Sequence, residues 1–472
     1  MKTKKNPQNH TNSLIIESLE PRLLLATVIN GFEADGDEYE IKLKGPGTII
    51  DGSLENLTLT NTNISSYLSV TVTNVVADGV LNVAEVDTLG ANLGQLNIEG
   101  NLGALHVGKL NRLEAHTLGD DPTGARIFNI AGNAQSITVP GGISDSSLSI
   151  AGNLNRLIVG ERDDGAATIS NSTVAVWGDL GALRLRQSLT GDSTITVHGD
   201  LNNIRIDKSI MSSSLTVDGD IDTFIVLGAV RNNSDLSIGG NVNFLKINKT
   251  VSDSDFSLGG NLLNAKFGND FRDSTLLAQA VDNIFIKDDL DQSQIGVTGD
   301  LLKLKANDSQ SLTLRVSGTL RKMQIKNDLD QALVSVLNEI GAIKIGQDLF
   351  RSTILGGIDI GDDFAYDTLP GGDDTEWGNV FIHNITIRGD MIDSNIAAGV
   401  SARGDYYGDG DDEPTADDIG TARILKVVVK GEISSTGLPG ESYAISAADG
   451  IDLILSGRRS FTGSAGVLRQ EF

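Results

Sequence analysis

The chain has 472 residues and a net charge of −26, from 37 basic and 63 acidic side chains. That balance argues against a nucleic-acid binder, which needs a basic footprint, and against electrostatic docking on anionic membranes. With no cysteine, only 4% aromatics and no apolar run near 18 residues, it lacks disulfides, thiolate metal sites, ample stacking platforms and a transmembrane anchor.

Residues 1–12 are polar and basic, with Lys2, Lys4 and Lys5. The apolar stretch that follows is interrupted by Glu17, Glu20, Pro21 and Arg22, so it is not the unbroken core of a standard secretion signal. The string Leu19-Glu20-Pro21-Arg22-Leu23-Leu24-Leu25-Ala26 resembles the LEPR-XLL segment at the N-termini of large secreted or surface proteins of planctomycete-like bacteria. The run Asp35-Gly36-Asp37, with Gly45-Pro46-Gly47 after it, is similar to the strand that often opens domains in such proteins. The resemblance covers roughly residues 13–50. It implies export to the cell surface or medium, which the absence of cysteine fits, and says nothing about chemistry. Residues 1–30 are therefore a targeting segment and 31–49 an N-terminal strand or cap.

Residues 50–362 read as one repeat. A glycine followed by Asn, Asp or Thr recurs at 132, 152, 178, 199, 219, 240, 260, 299 and 318. Most spacings are 19–21 residues; the gap of 39 spans two periods, with Ala280 near the missing glycine. Apolar residues keep a fixed frame after each glycine: Leu201, Ile204, Ile206, Ile210, Leu215 and Val217 in one unit, then Ile221, Phe224, Val226, Val230, Leu236 and Ile238 in the next. Alternation with period two means short strands with one buried face. Strands this short bury a continuous core only if each unit stacks on the last. The expectation is an all-β parallel β-helix, a β-solenoid of roughly 15 coils in one rod. A leucine-rich repeat has a similar period but needs a helical return, whereas the returns here are rich in Ser, Asp and Gly.

Two polar columns run with the frame. Ser66, Ser146, Ser172, Ser193, Ser213, Ser234, Ser254, Ser274, Ser293, Ser352 and Ser394 each precede the second strand, with Ala332 as the main break. No histidine repeats beside them, so they read as corner residues bonding the local backbone, not as nucleophiles. Carboxylates line up as Asp270, Asp289, Asp308, Asp328, Asp348 and Asp390, and after the frame glycines as Asp179, Asp200, Asp220, Asn241, Asn261 and Asp300. Stacked at ~4.8 Å, like charges repel unless water, a cation or lysines such as Lys287, Lys326 and Lys344 intervene.

From 363 to 430 the frame carries two acidic insertions, and 431–472 read as a C-terminal cap. The second insertion, residues 404–418, is the best metal candidate. Asp405, Asp409, Gly410 and Asp411 fit positions one, five, six and seven of a calcium loop, while Tyr407 and Ala416 occupy positions three and twelve and Asp417 falls one late. No cofactor is required by any motif; calcium is the one cation this loop suits. Phosphate-binding, zinc-protease and serine-hydrolase signatures are missing. No catalytic residue is assigned. The reading is a secreted or cell-surface scaffold with an adhesive role, whose partners are cell-surface polysaccharide or other surface proteins. No oligomeric state follows from the repeat. The alternative is a β-helical polysaccharide lyase or glycoside hydrolase, with its site near the 362–420 loops.

Overall fold

The computed structural model describes residues 26–119, 126–160, 168–364, 375–376, 379–401, 413–414, 421–436, 443–457 and 459–464, with 375–376, 401, 413–414 and 459–464 as backbone alone. These residues are all strand, turn and loop, with no helix among them. They form a parallel β-solenoid of about 13 coils of roughly 20 residues.

Each coil has three faces. Face A is a six-residue strand such as Leu201–Ile206, face B a two-residue strand such as Ile210–Met211, and face C a four-residue strand such as Ser214–Val217. Equivalent residues of successive coils pair in parallel and in register: Ile204 with Phe224, Ile210 with Val230, Leu215 with Leu236. The regular coils run from Leu93 to Gly356, and the same frame recurs at 380–398 and 422–447. The count falls below the roughly 15 coils expected for 50–362 because residues 48–92 do not keep the regular frame: Thr48–Gly52 pairs antiparallel with Leu57–Thr60, which itself stacks in parallel on Leu81–Asp87.

The apolar frame residues all point inward. Leu201, Ile204, Ile206, Ile210, Leu215 and Val217 are buried, and the same holds coil after coil. Each such side chain contributes about 1.5–3 kcal/mol of burial, while the ladders satisfy the backbone. Aromatics enter the core where neighbouring columns leave room: Phe256, Phe267 and Phe271 pack with ring centroids 4.9–6.3 Å apart. Both ends close with a reversed strand. Glu38–Lys44 runs antiparallel to Tyr67–Asn74 and to Thr27–Phe32, and Arg459–Ser464 runs antiparallel to Gly450–Ser456. Reversal stops a parallel stack from recruiting further coils.

A second, smaller apolar cluster lies outside the solenoid. After Gly356 the chain turns back over the outer surface of face C, and Ile358 and Ile360 pack with Leu355, Ala397, Val400 and Ala444. The outward positions beneath are small or apolar, Gly296, Ser335, Leu355 and Ala397, and all are buried.

Candidate functional site

The polar columns are engaged with the backbone. At the corner between faces B and C, the Ser172 hydroxyl donates to the Ser170 carbonyl at 2.7 Å while its oxygen accepts the Ser146 N–H at 3.1 Å. The same bridge between coils joins Ser172 N–H to Ser193, Ser254 to Ser274, Ala332 to Ser352 and Ser352 to Ser394. From Ser146 onward the residue before each serine is left-handed: Asp145 (φ 47°), Asn171, Asp192, Asn233, Asp253, Asp273 and Asp393, and also Ser212, Gln292 and Arg351. Most of that second column is Asp or Asn, the non-glycine residues most tolerant of that conformation, while Gln292, Gln331 and Arg351 adopt it without that preference. Leu312 is a further break: in its coil the apolar slot on face B holds Ser309, so large and small side chains have exchanged places.

Both Asp columns are backbone caps. At the corner between faces C and A, Asp179 Oδ1 accepts the Asp200 N–H (3.1 Å), Asp200 the Asp220 N–H (2.9 Å) and Asp220 the Asn241 N–H (2.6 Å). At the corner between A and B, Asp308 accepts from Asp328, Asp328 from Asp348, Asp348 from Asp390 and Asp390 from Glu432. Each carboxylate thus spends an oxygen on the next coil's N–H instead of facing a bare neighbour. The lysines do not interleave as expected: Lys326 bonds Asn307, Lys287 lies beside Asp288, and Lys344 stands on face A.

Three further groupings carry charge. Near the N-terminus Asp35, Asp37 and Asp78 bring carboxylate oxygens within 4.8 Å of one another. Asp37 is fully buried and accepts the N–H groups of Val76, Ala77 and Gly79 at 2.6–2.8 Å. Those donors, Ala77 and Val76 foremost, hold its carboxyl below the usual range, and they make it a knot tying the first turn to the segment at 76–79. On face C, Arg315 reaches the returning chain through Asp359 and Asp362. Burial works against its charge, but the bonds to Asp359 and Asp362 outweigh it and strengthen the cation. The calcium candidates Asp405, Asp409, Asp411 and Asp417 lie outside the described residues. The chain leaves for that insertion from Val400–Ser401, which pairs antiparallel with Glu413–Pro414.

The third grouping was not read from the sequence. Face A of the last coils carries a cleft of about 330 Å³ lined by Lys322, Lys344, Arg388 and Lys430, with Asn384 and Thr386 between them. Register explains the convergence. Lys322 pairs with Ala342 and Ala342 with Asn384; Lys344 pairs with Thr386 and Thr386 with Val428. The small side chain of Ala342 lies between the cations and keeps the middle of the hollow low. None of the four cations has an ion-pair partner among the described residues. Beside the cleft His383 pairs with Glu339 at 2.8 Å. The signal available in the sequence was one outward-facing Lys or Arg on or next to the same strand of each of four consecutive coils.

The coils also present more aromatic surface than the composition suggested. Trp177 is 60% exposed and stacks on His198 of the next coil, whose Nδ1 lies 2.7 Å from Asp218. Phe244 and Phe285 lie beneath Lys266 and Lys305. No family model, curated protein or solved structure matches the chain.

Proposed function

We propose that the chain is an exported, secreted or cell-surface β-solenoid that acts as a non-catalytic, adhesive scaffold, engaging cell-surface polysaccharide or other surface proteins. The observation that carries this reading is the engagement of the repeated reactive groups. Serine hydroxyls and corner carboxylates, the residue types from which a nucleophile or an acid–base pair would be drawn, are bonded to the backbone of neighbouring coils. The coils between 169 and 356 stay short and leave no long loop to wall an active-site cleft. The LEPR-XLL-like string supports export. The second acidic loop, with Asp405, Asp409, Asp411 and Asp417, is proposed as a calcium site that stabilises the scaffold without taking part in chemistry.

The test is incubation of the full chain with soluble neutral and acidic polysaccharides in calcium, with reducing-end and unsaturated-product assays. No product is expected. Product release would move the assignment to a lyase or hydrolase, with the 362–420 loops as the first region to mutate.

A further inference from the structure

We infer that the cleft on face A binds an acidic polysaccharide through the carboxylate or sulfate groups of its sugars. This rests on the reading of the chain as a polysaccharide-engaging scaffold and names the site for it.

The charge distribution is the first argument. In a chain with 63 acidic and 37 basic residues, a surface hollow that gathers several cations is expected to hold carboxylates among them as partners. Lys322, Lys344, Arg388 and Lys430 instead share one hollow without any such partner among the described residues. The nearby carboxylates of Asp348 and Asp390 already accept N–H groups at the A–B corner, and Glu339 is paired with His383. Four like charges around one concavity repel, and the low-dielectric walls focus their field on whatever enters. An anion relieves that repulsion.

The shape of the site selects the anion. The cations come from four successive coils ~4.8 Å apart, and Lys344 and Arg388 each stand two residues further along the strand than the cation before, so they form an oblique row across the face. That suits an extended polymer carrying charge at regular intervals better than a single small ion. Arg388 offers a planar fork that matches a carboxylate or sulfate, and the lysines act as point charges. Asn384 and Thr386 line the same hollow and supply neutral donors and acceptors for sugar hydroxyls. The lining holds no aromatic ring, which disfavours the base stacking that single-stranded nucleic acid uses.

The experiment uses the full chain, in chelator and at low ionic strength, with three immobilised polymers: polygalacturonate, dextran sulfate and neutral dextran. Binding to at least one of the two anionic polymers and none to dextran is expected, and the anionic arms tell a carboxylate site from a sulfate site. Lys322→Gln, Lys344→Gln, Arg388→Gln and Lys430→Gln together should weaken binding on the order of tenfold or more. The control set Lys109→Gln, Lys208→Gln, Lys246→Gln and Lys249→Gln, identical in charge removed, should change it far less. Unchanged melting temperatures show that both sets fold. Equal weakening by the two sets would overturn the inference, since net charge alone would then account for binding. So would a lack of binding to either anionic polymer, preferential binding of a single-stranded oligonucleotide, or self-association abolished by the cleft set. Products released in the same incubations would instead sink the non-catalytic reading and leave the cleft as a subsite.

Discussion

Asp291 and Asp330 stand on the outer side of face B, each beside the Asp column of the A–B corner. Burial pushes the Asp291 carboxyl up, and the charge of Asp289 adds to it. Burial also raises Asp330, with Asp328 adding and Arg351 opposing. The folded chain therefore holds these two protons to higher pH than the unfolded chain does. Stability is lost as pH rises from below the unfolded value through the folded one, and the full cost is present above both. Asp291→Asn with Asp330→Asn should raise the melting temperature at about pH 7. The gain should vanish near pH 3, where both states are protonated. A shift of the same size at both pH values would mean that the carboxylates are not responsible. Asp37 behaves in the opposite sense: its depressed carboxyl supports the fold above the unfolded value, and that support is lost as pH falls through the folded one. None of this was legible in the sequence, where the Asp columns read as like charges in need of a counter-ion. What the sequence could not show is that a corner leaves one N–H per coil pointing at the side chain of the coil before.

The repeating element is legible almost in full. The apolar frame fixed which residues point inward, and all of those named for the coils at 201 and 221 are buried. The frame glycines were visible too, but their cause was not. Gly199, Gly219 and Gly240 are not among the glycines with positive φ. A Cβ on Gly219 would lie 2.3 Å from Asp200 Oδ1, the atom that caps the Asp220 N–H, and 2.8 Å from the Gly199 backbone. Glycine is required because the cap of one coil, together with the backbone beneath it, occupies the place of a side chain on the next. Gly219→Ala must push the Asp200 carboxylate aside or spread two coils, at a cost of about 1–3 kcal/mol. Asp200→Ala in the same background removes the clashing oxygen, so the double variant should lose less than the sum of the single ones. Additive losses in denaturant melts would show that the cap is not what excludes the side chain. The insertions were legible as breaks of period, while the packing of Ile358 and Ile360 over face C was not. Small outward residues such as Gly296 and Ala397 carry that message only once the register is known.

At the scale of the whole molecule, the chain carries a net charge of −26 and two Asp-rich columns along the corners of the solenoid. Self-repulsion of that size destabilises the folded state, and any salt relieves part of it. Net charge also hid the most useful surface. The sum excluded a basic footprint, yet four cations converge on one face because the coil period brings residues some 20 to 40 apart into contact. Calcium should act above this background if the 404–418 insertion binds it. A site saturates at low calcium, whereas screening follows ionic strength alone, so sodium at matched ionic strength should raise the melting temperature much less. At a calcium concentration ~100 times the dissociation constant one site adds ~2.7 kcal/mol. Asp409→Asn with Asp411→Asn should remove most of the calcium-specific shift. Asp163→Asn with Asp164→Asn, an equal loss of charge elsewhere in the chain, should leave it in place. The carboxylates of the corner columns already hold backbone N–H groups, so calcium gains little from them, and the shift should titrate as one site and not as a ladder. Thermal melts in chelator, calcium and sodium decide the matter: identical melting temperatures in chelator and in millimolar calcium would remove the site and leave the insertion as a solvated acidic loop.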